Sequence, residues 1–488
     1  MNKTMSRREM LKLMAMGTAG VALAACSPQA TTAPTTAAAT TVPTAMVTPT
    51  AAPATITWLQ APIWRFAPDE KTVLGAGSDA KAKDLVTRFQ AAFPNITVQL
   101  QLVPWDQWGA KITTMFASGN LANVIYGNLN AARAAAGVFA PLDGYLTSAI
   151  TDNWVGTAKA QLTFGGKVLG VPWCYNPSFM VLDQTSLEAN GAGGIIQDVG
   201  ADRSGLTFDM MTKYAALYDD SKTRYFFGVP TDHGSIFYWM FGMWLEGWGV
   251  KDWNADQTKF IAADDPNATK AMQWLLDGAN NGVLPPAKSL PKWSDIDNFQ
   301  WAGNLGMRYQ WAGDNAELAT AQAAGQAAKD FKLFFVGPPH TADVKPFGFG
   351  MDVAGYEAGA NSDANLVDAS FKFMNWVCTD DAYAISTLVE GEFPATKSGI
   401  KACAGQPLLQ DTNVDWVLNT YIPNYPPEIL GGDWNPTANP KTQDALSKLQ
   451  PDEFTYFIQE LQSMFLGQKT PGDMMTEIQK TINTALGV

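Results

Sequence analysis

The chain has 488 residues, 47% of them hydrophobic and 16% charged, with a formal net charge of −13. That apolar fraction excludes wholesale disorder, and the acidic balance argues against a nucleic-acid binder. No run approaches the ~18 consecutive apolar residues of a membrane-spanning helix. At ~150 residues per domain the length allows two to three domains. Seventeen Trp stand against two His, so flat apolar faces are plentiful and imidazole chemistry is scarce.

The chain opens MNKTMSRREMLKLMAMGTAGVALAAC. Arg7 and Arg8 precede an apolar run, Leu13 to Ala25, too short to span a bilayer as a mature helix. The arrangement reads as an export signal, and Ser6 to Lys12 (SRREMLK) resembles the twin-arginine type. Leu23-Ala24-Ala25-Cys26 resembles a bacterial lipobox, which implies cleavage before Cys26 and acylation of that residue. Residues 27–54 hold nine Thr, nine Ala and five Pro and no charge, a composition that cannot bury a core. We therefore expect a signal peptide over 1–25, and a lipidated Cys26 with a disordered tether over 26–54. Removing residues 1–25 takes away four cations and one anion and leaves a net charge of −16. The expected location is the outer face of the cell membrane, held by the lipid alone.

From Thr55 the pattern changes. Residues 56–59 read as a strand, and Leu85, Val86, Phe89 and Ala92 fall at helical spacing before Pro94. Ile96, Val98, Leu100 and Leu102 alternate with polar residues, which is a strand. A helix is expected over 105–118 and a strand over 122–126. A short strand follows over 170–173, and a helix over 208–218. Asp265-Pro266-Asn267 opens a helix that Gly282 closes. Leu305, Met307, Tyr309 and Trp311 alternate as a strand, residues 364–377 and 381–389 read as helices, and the chain from Asp452 is helical in two pieces. Strand and helix alternate at a pace that predicts parallel βαβ units and an α/β fold.

Several motifs carry no chemistry. Asp252-x-Asn254-x-Asp256 opens like a calcium loop, but Gln257 stands at the required Gly and Ala263 at the bidentate Glu. Gly75-Ala76-Gly77 lacks the third Gly of a dinucleotide fingerprint. His233 and His340 lack metal-ligand spacing, and no G-x-S-x-G elbow is present. No catalytic residue, metal or cofactor is expected. Cys174, Cys378 and Cys403 allow one disulfide or none.

Five stretches resemble a known family in its own order. They are LVTRFQAAFPNITVQLQLVPW (Leu85 to Trp105) and MFASGNLANVIYGN (Met115 to Asn128) with GVFAPLDGYL (Gly137 to Leu146), then GGKVLGVPWCYNPSFMVLDQTSLEANG (Gly165 to Gly191). Leu245 to Pro286 follows, and then NLGMRYQWAG (Asn304 to Gly313) with Phe373 to Ile400. Together they resemble extracellular solute-binding proteins of family 1, the maltose-binding-like class that serves ATP-driven sugar importers. Ala122-Asn123 departs from the family's usual Pro-Asp, and Asp183 stands where the family often has Asn.

The resemblance implies a two-lobed fold of the periplasmic-binding-protein type II kind, with a hinge. The lobes are expected as residues 55–168 plus 338–377 and 169–337 plus 378–488. It further implies a monomeric, sugar-binding receptor that docks on importer permease subunits. Sugars offer hydroxyl rims and apolar faces, so their sites pair aromatic platforms with hydrogen-bonding groups. Candidates lie where strands end or helices begin. These are Trp64, Arg65, Tyr126, Asn128, Trp173, Tyr175, Asn176, Tyr238, Trp239, Trp311, Asp314, Met351, Asp352 and Glu392. The family places ligand contacts at Trp173 and Trp311, so Trp173→Ala is expected to weaken binding and spare the fold. A contrasting expectation is a glycoside-active enzyme, whose two carboxylates would come from Glu246, Asp352 and Glu392. A non-sugar solute such as a polyol, polyamine or sugar phosphate is a further alternative.

Overall fold

A computed structural model describes residues 52–488 apart from 76, 128, 130, 156–157, 219–222, 233, 312, 361–362, 404–411, 422–423, 425–448 and 450–454. The expected signal, lipobox and nearly all of the tether therefore lie outside the described residues.

The described strands are β1 (Ala54–Gln60), β2 (Ile96–Leu102), β3 (Val124–Gly127), β4 (Thr163–Phe164), β5 (Lys167–Val168), β6 (Gly170–Asp183), β7 (Tyr225–Gly228), β8 (Leu305–Trp311), β9 (Leu333–Val336), β10 (Phe349–Ala358) and β11 (Phe393–Pro394). The main sheet runs β2-β1-β3-β10-β6-β8-β7, with β9 and β11 also pairing β6. Parallel pairing is confined to its two ends, β2-β1-β3 and β8-β7. Between them β10 and β6 run antiparallel to their neighbours. The fold is α/β as expected, and the parallel units are joined by two antiparallel crossing strands.

The spacing of residues 170–173 predicts a short strand, yet β6 continues to Asp183. Neither Pro172 nor Pro177 can donate to a ladder. The structure accommodates them opposite glycine: Pro172 faces Gly355 and Pro177 faces Gly350, each beside a register shift in β10. Beyond Pro177 the strand passes to new partners, with Phe179 to Leu182 pairing β8 on one side and Met180 to Asp183 pairing β9 on the other. One strand thus serves both ends of the sheet.

Two large apolar clusters flank this frame. The first gathers Trp58, Leu85, Phe89, Tyr356, Phe373 and Tyr383. Trp58 is enclosed there, with its ring edge-on to Trp64 at 6.0 Å and Phe373 at 5.0 Å. The second gathers Phe227, Trp244, Met272, Leu275, Leu461 and Ile478, with Phe227 and Trp244 stacked at 5.0 Å. The helix Asp381–Val389 buries Tyr383, Ala384 and Leu388 in the first cluster, whereas Thr455–Phe465 and Pro471–Leu486 pack in the second. Helix ends follow the chain's own signals. Asp265 caps Pro266–Asn280 by accepting from Asn267 N at 2.8 Å, and Gly282 takes φ 82° just beyond it. Cys174, Cys378 and Cys403 are buried free thiols.

Asp183 ends β6 and caps the helix Gln184–Ala189, its Oδ1 accepting from Ser186 N at 2.8 Å. Its Oδ2 is buried without a partner. Burial pushes its pKa up to about 8, against the pull of the Ser186 and Thr185 amides. The folded value exceeds the unfolded one, so this group's contribution is complete below pH ~4 and is lost as pH rises towards 8. Asn caps a helix as well as Asp does and carries no charge. Asp183→Asn should therefore stabilise the protein by about 1–3 kcal/mol at alkaline pH, with a gain that shrinks towards pH ~5. Urea unfolding across that range checks it, and an equal difference at every pH would remove Asp183 as the cause.

Candidate ligand-binding site

The segment after β1 is fastened from below by a buried ion pair. Lys81 (2% exposed) meets Glu390 (1% exposed) at 2.9 Å and also pairs with Glu70. The Glu390 carboxylate accepts from Arg65 N at 2.8 Å and Phe66 N at 3.1 Å. Ser386 donates to Glu70, whose φ of 60° lies in the left-handed region. Burial raises the Glu70 pKa, with Lys81 opposing the shift. One carboxylate therefore fixes two consecutive backbone amides, and with them the exit direction of the Arg65 side chain.

That side chain reaches Glu317 in the helix Asp314–Ala323, Nη2 to Oε1 at 3.0 Å. The other Glu317 oxygen accepts from Arg308 at 3.2 Å. Arg308 (1% exposed) projects from β8 and is wrapped by acids, meeting Asp314 at 2.6 and 3.2 Å and also Asp297. Its guanidinium lies 5.3 Å from the Trp293 ring and 5.5 Å from Trp301. Burial opposes the Arg308 charge, and Asp314, Asp297 and Glu317 more than restore it. Burial also pushes the Asp314 and Asp297 pKa values up against Arg308's attraction.

Three expected site aromatics fall into one group at the crossing of β6 and β10. Tyr126, one residue before the end of β3, is half-buried, with Trp173 at 5.6 Å, Tyr356 at 6.0 Å and Trp108 at 6.1 Å. Desolvation holds its hydroxyl well above the ordinary tyrosine range. Trp173 is buried and stacks on Tyr383 at 6.1 Å, and its Nε1 donates to the Thr387 hydroxyl at 3.0 Å. Trp64 is enclosed between Trp58 and Tyr383. The Trp64 and Trp173 rings are therefore packing surfaces in this conformation, and Asp314 is committed to Arg308.

The other candidates spread along the crossing strands and the second cluster. Asn176 faces Asp352 across the β6–β10 ladder, which brings two of them into register. Tyr175 lies between Val353 and Phe393, next to the half-buried Glu392. Met351 is a residue of β10, and Tyr238 and Trp239 are residues of the helix Gly234–Gly247. Trp311 ends β8, half-buried, its ring nearly parallel to Trp293 at 6.3 Å. Asn128 lies outside the described residues. Glu246 closes the Gly234–Gly247 helix, on the chain beside Trp244 and Leu245 of the second cluster.

The calcium-like segment is a hairpin. Trp253 bridges Phe260, and Asn254 spends its carbonyl on Thr258 N and Lys259 N. Both ring nitrogens of His340 meet backbone carbonyls. Among the described residues no three His, Cys, Asp or Glu side chains cluster as metal ligands. A cavity of about 70 Å³ lies between Glu70, Lys81, Arg88 and Tyr383, room for a few waters and too small for a sugar ring.

Arg308, Glu317, Glu390, Lys81 and Trp293 were not singled out from sequence. A charged residue inside the alternating run Leu305–Trp311 was the one available signal, since buried strand charges need partners.

Parallel strands at both ends of a sheet and two antiparallel crossing strands between them define a two-lobed α/β fold. The sequence profile of bacterial extracellular solute-binding proteins matches residues 84–402, and the chain belongs to that family. A Brucella abortus (strain 2308) binding protein is 26% identical over 222 residues, 45% of this chain and 51% of that one. The chain thus spans about half the length of the curated relatives it matches.

Solved structures extend the fold comparison. The ABC substrate-binding protein Lmo0181 of Listeria monocytogenes, in complex with cycloalternan, superposes with a TM-score of 0.65 at 18% identity, covering 89% of this chain and 99% of that one. Maltose-bound MalE3 of T. maritima gives 0.64 at 15%, with coverage of 89% and 99%. UgpB of Mycobacterium tuberculosis, in complex with glycerophosphocholine, gives 0.66 at 16%, with coverage of 88% and 98%.

Proposed function

We propose that this protein is a lipid-anchored receptor that captures a carbohydrate between its lobes and presents it to the permease of an ATP-driven importer. The observation that carries this reading is the group of aromatic rings around Tyr126 and Trp173 at the β6–β10 crossing, inside a chain of solute-binding lineage. Two of the similar structures hold cycloalternan and maltose, which favours a sugar; glycerophosphocholine in a third keeps a non-sugar solute as an outcome of the test. The ligand-facing set in this reading is Arg65, Tyr126, Asn128, Tyr175, Asn176, Tyr238, Trp239, Trp311, Met351, Asp352 and Glu392. Trp64, Trp173 and Asp314 stand behind it as supports. The lobes divide as 55–168 plus 338–377 and 169–337 plus 378–488, with the packing of Asp381–Val389 drawing that helix towards the first lobe. Cys26 carries the lipid, the receptor acts as a monomer, and it turns over no glycoside.

The test is a thermal-shift and calorimetric panel of mono- and disaccharides, polyols and glycerophosphodiesters, with product analysis alongside. A cognate sugar at a hundred times its Kd should add ~2.7 kcal/mol of stability and leave no product. Binding confined to polyols or phosphodiesters would replace the sugar assignment, and glycoside turnover would overturn the receptor. Detergent-phase partitioning of the exported chain, abolished by Cys26→Ala, is the expected sign of the anchor.

A further inference from the structure

The charged residues described above form one continuous path. Lys81 binds Glu390, Glu390 holds the Arg65 backbone, the Arg65 guanidinium meets Glu317, and Glu317 meets Arg308. Its ends are rooted differently: Lys81 precedes Leu85 and Phe89 on a helix of the first cluster, while Arg308 belongs to β8 at the far end of the sheet. Among the described residues, Arg65–Glu317 is the ion pair that joins the segment after β1 to the helix after β8.

We infer that Arg65–Glu317 is an ionic latch between the lobes, set to break and re-form as they open and close. Exposure along the path decides which link gives way. Lys81, Glu390 and Arg308 are 1–2% exposed, and separating such pairs strands a charge out of water. Arg65 and Glu317 are 22% and 21% exposed, so water can reach both ions as they part. The cost of breaking that link is correspondingly small. On opening Glu317 keeps Arg308, the Arg65 guanidinium turns to water, and its backbone is still placed by Glu390. The latch therefore re-forms with both halves already positioned, and it biases the ligand-free protein towards the closed arrangement. The inference rests on the two-lobed fold and is independent of which solute is bound.

The experiment measures the distance between spin labels in ligand-free protein. Lys83→Cys and Lys480→Cys place them on exposed positions of the Ala80–Ala92 and Pro471–Leu486 helices, in the full chain with Cys26→Ala; the other three cysteines are buried. Arg65→Gln should move the distribution to longer distances by several ångströms and broaden it, and Arg65→Lys should restore most of the original. Raising salt from about 0.05 M to about 1 M, which cuts the Debye length to ~3 Å, should shift the parent in the same direction and leave Arg65→Gln unmoved. A parent distribution indifferent to salt, or an Arg65→Gln distribution that superimposes on it, overturns the latch. A negative sugar panel would remove the carbohydrate reading and leave this result standing.

Discussion

Arg308→Met is expected to destabilise the protein by about 3–5 kcal/mol, the usual cost of removing one partner from a buried ion cluster. Three carboxylates converge on this guanidinium: Asp314 is completely buried, and Asp297 and Glu317 are part-buried. Arg65 can still neutralise Glu317, but no other described cation pairs with Asp314. The variant's Asp314 must then take up a proton or carry an uncompensated charge inside the fold. Its pKa already lies above the ordinary value because burial outweighs Arg308's attraction, and losing Arg308 raises it further. A raised folded pKa gives stability that is present at low pH and lost as pH rises. The deficit of Arg308→Met should accordingly be smaller at pH ~5 than at pH ~8. Adding Asp314→Leu should recover part of the loss, since a buried ion pair replaced by packed apolar groups is often neutral. Urea unfolding at both pH values decides the matter, and a loss under about 1 kcal/mol would show that the cluster contributes little.

Much of the frame was legible because it is written in local periods. The alternation of Ile96 to Leu102 and of Leu305 to Trp311, and the cap at Asp265-Pro266, are readable within a dozen residues and reappear as elements. The second half of β6 was not readable, because Pro177 is tolerated through Gly350 of β10, 173 positions away in sequence. The charge path is longer-ranged still: Arg65 lies 252 residues from Glu317 and 325 from Glu390. Such pairs leave no mark on either segment, since each residue alone looks like an ordinary surface charge. Glu390 escapes sequence reading for the same reason. The helix Asp381–Val389 ends just before Glu390, and only the packed structure turns that carboxylate inward onto Lys81. Aromatic count was likewise a weak guide, because a ring that stacks on a sugar and a ring that fills a core have the same composition.

Trp173 shows what that ambiguity costs. As an open platform it would tolerate truncation in the ligand-free state, which is the outcome expected from sequence. In the structure its ring is enclosed by Tyr126, Tyr356 and Tyr383, so Trp173→Ala is expected to cost about 3–5 kcal/mol without any ligand. Trp173→Phe keeps a ring against Tyr383 and gives up the indole bond to Thr387. That loss is modest, about 1 kcal/mol, because the Thr387 hydroxyl still donates to the Tyr383 carbonyl at 2.8 Å. Trp173 lies on β6, so slackening it loosens the strand that pairs with β10, β8, β9 and β11. Affinity in Trp173→Ala should therefore fall together with stability, and both should recover in parallel in Trp173→Phe. Urea unfolding and calorimetry on the same three proteins separate the cases. A tenfold loss of affinity at unchanged stability would instead put the indole face against the ligand.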